Sequence, residues 1–141
     1  MTRWLNRMQP WGVFFLRLVL GVAMVVHGYA KVVPGGGFRA HSLFSALDHY
    51  THFIASLGLP PWLGYVSALT EFLGGICLIL GLLTRFFAFL VTINMLVAIA
   101  TVDIHHGYSG CEYALALAVI AFMILLTGPG NANLDRRIGF A

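Results

Sequence analysis

Four continuous apolar stretches, roughly Trp11 to Val33, Trp62 to Leu83, Phe86 to Ile104 and Tyr113 to Thr127, fill more than half of the 141 residues. Each is close to the roughly 20 residues that a helix needs to cross the hydrocarbon core of a bilayer. They carry Gly, Ala and Leu in unbroken runs rather than ten-residue polar/apolar alternation, which excludes a transmembrane β-barrel. Composition leads the same way. Sixty per cent of the residues are apolar and 9% are charged, whereas about 25% are charged in an ordinary soluble domain. The 8 basic and 5 acidic residues cannot cover a water-exposed surface, and so apolar a chain is not disordered. The expected fold is all-α: one domain over residues 1–141, an integral membrane bundle of four transmembrane helices in contact with a lipid bilayer.

A net charge of +3, with basic residues in ones and twos, excludes nucleic acid as a partner. Arg3 and Arg7 precede the first stretch as they would a secretory signal. Arg17 interrupts its core, however, and His27-Gly28-Tyr29-Ala30-Lys31 stands where a cleavage site would lie. Arg3, Arg7, Arg85, Arg136 and Arg137 fall at the N-terminus, between the second and third stretches, and in the C-terminal tail. The other two connections hold only Lys31 and Arg39. Both termini are therefore expected on the cytoplasmic side. The long connection from Pro34 to Pro61 opens with Gly35-Gly36-Gly37. Over about residues 41–57 it sets His41, Ser45, Asp48, His52 and Ser56 on one stripe, mostly opposite Leu43, Phe44, Leu47 and Ile54. That spacing predicts an amphipathic helix lying in the outer interface.

An ionisable side chain at bilayer depth costs on the order of 3 kcal/mol, so each calls for a partner, a wet cavity or a function. The first stretch carries Arg17, His27 and Lys31 broadly on one face, with Gly21 and Gly28 beside them. Glu71 lies mid-span in the second stretch, one turn before Gly74-Gly75, and is expected to point into the bundle. With Asn94 from the third stretch, and His105 and Glu112 at the outer ends of the last two, these residues can converge on one outward-opening polar pocket. Arg17 lies deeper, within reach of Glu71 by its long side chain. Three readings of the cluster stand open: structural pairing that fixes helix register, a site for a small amphipathic ligand, or a metal site using His105, His106, Cys111 and Glu112, whose spacing matches no known ligand set. Cys77 and Cys111 are separated along the membrane normal by roughly 20 Å, beyond the reach of a disulfide.

The segments Arg17-Leu18-Val19-Leu20-Gly21, His27-Gly28-Tyr29-Ala30-Lys31, Glu71-Phe72-Leu73-Gly74-Gly75, Gly81-Leu82-Leu83-Thr84-Arg85, Glu112-Tyr113, Gly128-Pro129-Gly130 and Leu134-Asp135, in this order, resemble the DoxX family. Asn133-Leu134-Asp135 stands where the family closes with Ser-Leu-Asp, and the His105-His106 pair and Cys111 are not family features. The resemblance implies a four-helix protein of the bacterial cytoplasmic (inner) membrane. Family members are commonly described as candidate oxidoreductases. The related DoxD proteins belong to a thiosulfate:quinone oxidoreductase, other relatives are linked to quinone or catechol stress or to membrane oxidoreductase complexes, and distant ones act as assembly factors or cargo receptors. The resulting expectation is a quinone-linked oxidoreductase component. Glu71 and His27 would exchange protons, while Arg17, Lys31, Asn94, His105 and Glu112 would bind and position the quinone. The chain has no haem-attachment motif, no iron–sulfur cysteine set, no nicotinamide fingerprint and no metal site of recognised spacing. Electrons would come from a protein partner or a soluble donor, and a second copy of the chain is a further possible partner. The alternatives are a non-catalytic subunit or assembly factor, or a binder of small lipophilic molecules.

Overall fold

A computed structural model describes residues 2–33 and 43–139. Its long helices are α1 (Thr2–Val32), α3 (Trp62–Leu80), α4 (Thr84–Thr101) and α5 (Tyr108–Thr127); α2 (Leu43–Ser56) follows α1, and a one-turn α6 (Asp135–Ile138) closes the chain. All four long helices are long and apolar enough to cross a membrane, and the described residues include no strand. The protein is an all-α, multi-pass membrane bundle. Side chains such as Val19, Val26, Phe86, Leu96, Val119 and Leu126 are more than half exposed on the isolated chain, the surface that lipid covers. Gly35 to Gly37, Arg39 and His41 lie outside the described residues.

Packing between membrane helices depends on how closely backbones approach, and α1 meets α3 through glycines. A Cβ on Gly28 would stand 2.4 Å from the Phe72 amide nitrogen, and one on Gly75 would stand 2.7 Å from that of Val25. Behind this seam, Leu20, Met24, Leu78, Val91, Ala121 and Ile124 form the dry core. α2 lies against α3 where Gly64 makes room for Thr51.

Element ends differ from the apolar stretches where backbone chemistry outweighs hydropathy. α1 begins at Thr2 rather than Trp11 and carries Pro10 inside it, because polar residues prolong a helix beyond the hydrocarbon. α3 stops at Leu80 rather than Leu83: Gly81 is left-handed at φ 68°, and Leu82 N donates to Cys77 O at 2.9 Å, a Schellman closure. The third span ends at Thr101, with a 3-10 turn at Asp103–His106, and α5 starts at Tyr108 after Gly107 at φ 74°.

Candidate functional site

Lys31 leaves the last turn of α1 and Glu71 the middle of α3; their Nζ and Oε1 atoms lie 2.7 Å apart, the sole ion pair among the described residues. Asn94 from α4 donates Nδ2 to the same Oε1 at 2.8 Å. Lys31 also donates to the Tyr50 hydroxyl of α2 at 3.2 Å, and Tyr50 meets Ser67 Oγ at 3.0 Å. The ammonium sits 4.5 Å from the centre of the Tyr50 ring, a cation–π contact. Glu71 is only 2% exposed. Its Oε1 is thus doubly satisfied, while buried Oε2 has no hydrogen-bond partner. An unpaired carboxylate oxygen in such surroundings is costly unless something completes it.

These groups form one wall of a cleft of about 170 Å³ between α2, α3 and α4, whose other walls include Phe53, Ile54, Leu90, Ile93 and Val97. The arrangement is an apolar slot with an oriented carboxylate, an ammonium and an amide at one side. It suits a ligand with a polar head and an apolar body.

The structure therefore brings together Lys31, Glu71 and Asn94, but not the other expected site residues. His27 does not line the cleft; it is exposed, and its Nε2 lies 3.0 Å from Tyr113 OH on α5. The reason is helical phase. Gly28 contacts the Glu71–Phe72 backbone, and the preceding residue points about 100° away from it, toward the α5 flank. His105 and Glu112 are exposed and also stand outside the cleft. Among the described residues no three His, Cys, Asp or Glu side chains are grouped to hold a metal, and Cys77 and Cys111 are free thiols.

Arg17 does not reach Glu71. The fourteen residues separating it from Lys31 amount to about 21 Å along a helix, and its fully buried guanidinium turns to the opposite end. There Nη1 donates to Pro129 O, and Nη2 to Ala132 O at 2.7 Å. Gly81 O accepts from Leu134 N and Asp135 N, at 3.1 and 3.0 Å. The buried Asp135 carboxylate returns the connection, accepting from Leu83 N at 2.6 Å and Thr84 N at 2.9 Å. It thereby caps α4, whose preceding Leu83 is held at φ 48°, a conformation that costs a branched residue roughly 1–2 kcal/mol. Asn133 Nδ2 donates to Gly130 O at 2.6 Å, and its Oδ1 accepts from Arg136 N at 2.9 Å. The motif residues Arg17, Gly81 to Thr84, Gly128 to Gly130 and Leu134-Asp135 thus form one latch remote from the cleft.

Tyr50, Ser67 and Thr70 line the cleft without having been singled out in the sequence. Tyr50 did carry a signal: by helical spacing it shares a stripe with Leu47 and Ile54, both buried, and a tyrosine on such a stripe needs a partner for its hydroxyl.

The DoxX family model matches residues 12–104, which contain the cleft's residues and end before Gly128 to Asp135. The chain is 29% identical over 132 residues to a Bacillus subtilis (strain 168) protein named "Putative oxidoreductase CatD", covering 93% of this chain and 90% of the relative. No solved structure matches the chain.

Proposed function

The chain belongs to the DoxX family, and from that premise we propose that it is a quinone-linked oxidoreductase component of the bacterial cytoplasmic membrane, with the Lys31–Glu71–Asn94 cleft as its site. The carrying observation is the buried Glu71 Oε2 without a partner, on a residue that lines a largely apolar slot. A hydroxyl-bearing ring entering the slot would supply the missing donor. The volume, about 170 Å³, is below the roughly 300–1,000 Å³ of sites that enclose a drug-sized ligand, so it suits a single ring whose tail stays in the lipid. The oxidoreductase name of the relative supports the reaction class.

A quinone takes up two electrons and two protons at its carbonyl oxygens. Lys31 Nζ and Asn94 Nδ2 hold Glu71 by Oε1, which leaves Oε2 as the atom that accepts and returns a proton. The surrounding apolar side chains lower the polarity around Glu71, and α2 covers one side through Tyr50. Electrons arrive from a partner protein or soluble donor. His27, paired with Tyr113, stands outside this scheme. The arginines at the N-terminus, at Arg85 and in the C-terminal tail support a cytoplasmic position for both chain ends.

The test is Glu71→Gln in folded protein. Quinone occupancy and turnover should fall at least about tenfold with the bundle intact, since an amide cannot exchange the proton; unchanged values would remove Glu71 from the mechanism. A second reading is favoured by the Lys31–Glu71 ion pair itself, since pairing alone can fix helix register. On that reading the protein is a non-catalytic subunit or assembly factor, and Glu71→Gln lowers folding yield without changing any turnover. Extraction of bound molecules separates the two: a stoichiometric quinone favours the first, and an empty bundle that copurifies with another polypeptide favours the second. A different lipophilic small molecule would leave the cleft a binding site without the redox role.

A further inference from the structure

At the end of the bundle away from the cleft, a notch of about 510 Å³ lies among Pro10 and Val13 of α1, Arg85 at the start of α4, Thr127 at the end of α5, Gly130, and Arg136 of α6. Two arginines line it and no acid does. The neighbouring carboxylate, Asp135, is 2% exposed and accepts from backbone amides with both oxygens, so it forms no ion pair with either guanidinium. Neither Arg85 nor Arg136 has an ion-pair partner among the described residues. Arg85 is also laid along the loop: a Cβ on Gly128 would stand 3.2 Å from its Nη2, so a glycine there keeps the guanidinium close to the notch.

Depth identifies the occupant. The notch is level with the first turn of one span and the last residue of another, where headgroups lie. Trp4 and Trp11, at this end of α1, are 65% and 43% exposed, as interfacial anchors are. Above the notch, exposed Met123 and Leu126 offer apolar surface for acyl chains. We propose that the Arg85–Arg136 notch binds the phosphodiester of an anionic phospholipid, with both guanidinium groups donating to its oxygens. The site is separate from the cleft and independent of any redox role.

The experiment uses the full chain purified in a neutral detergent. Binding of phosphatidylglycerol, phosphatidylcholine and inorganic phosphate is measured by native mass spectrometry and by the thermal midpoint. Phosphatidylglycerol should be retained about tenfold better than phosphatidylcholine and should raise the midpoint; Arg85→Gln with Arg136→Gln should abolish that preference. Arg137→Gln, which removes a neighbouring charge outside the notch, should leave it intact, and Arg85→Lys with Arg136→Lys should keep part of it. An equal preference in wild type and the double Gln variant, with helical content unchanged, would overturn the proposal. So would a loss of preference as large in Arg137→Gln, which would make the effect one of net charge. Displacement of the lipid by an equal concentration of inorganic phosphate would assign the notch to free phosphate instead.

Discussion

The protein buries charge at two levels and handles it in opposite ways. At the latch, Arg17 and Asp135 are partnered by backbone: carbonyls of the C-terminal loop for one, amides of Leu83 and Thr84 for the other. At the cleft, Lys31 and Glu71 are partnered mainly by side chains, and one carboxylate oxygen is left over. Arg17 Nε also lacks a hydrogen-bond acceptor, but its guanidinium lies 5.5 Å from the Phe14 ring and borders neither cavity. A charge bonded to backbone cannot move without unmaking the fold. A charge bonded to side chains, beside empty space, can exchange a partner.

The contrast is broken most severely at the latch. Arg17→Met should remove two charge-assisted bonds to carbonyls that have no substitute donor, costing about 3 kcal/mol or more. Most of the folded, monodisperse protein should be lost in detergent, and no second substitution at Asp135 should recover it. At the cleft the same operation should be reversible. Lys31→Met alone leaves Glu71 unpaired and should cost about 3 kcal/mol. Adding Glu71→Leu should recover most of that loss, because an apolar pair of similar volume is nearly neutral, while ligand retention stays abolished. If the double variant were as unstable as Lys31→Met, the cleft charges would be structural in the same sense as the latch.

Between these levels runs the glycine seam. Gly28→Ala places a methyl group against the Phe72 backbone, which cannot rotate away, so α1 and α3 must separate. The expected cost is about 1–3 kcal/mol. Lys31 and Glu71 lie next to this contact, so the substitution should weaken ligand retention more than it disturbs the latch. Hydrogen exchange at Leu83 and Thr84 amides, held by Asp135, reports the latch separately.

The spans and the burial of Glu71 were legible because the bilayer imposes a strong pattern: continuous apolarity, with glycines beside an acid. The latch was not. Its motifs are visible as residues, but Arg17's partners are carbonyls of Pro129 and Ala132, and a carbonyl has no residue-type signature. Glu71 is the acid that the residue pattern offers to Arg17, but the rise of the helix sets the two too far apart. His27 failed for a finer reason. Sharing a broad face with Lys31 is not enough when a four-carbon stem can reach around α1 and an imidazole cannot.

Tyr50 offers the smallest and most selective change. Tyr50→Phe keeps the ring over the Lys31 ammonium but removes the hydroxyl that meets both Lys31 Nζ and Ser67 Oγ. Stability should fall by about 1 kcal/mol or less, and the latch should be untouched. Among the described residues Lys31 would then keep Glu71 Oε1 as its one hydrogen-bond partner, and α2 would lose its polar tie to α1 and α3 at the cleft. Ligand exchange should quicken a few-fold while the ligand itself stays the same, which off-rate measurements on reconstituted protein can read. An unchanged off-rate would mean that α2 covers the cleft by apolar contact alone and that the hydroxyl only satisfies its neighbours.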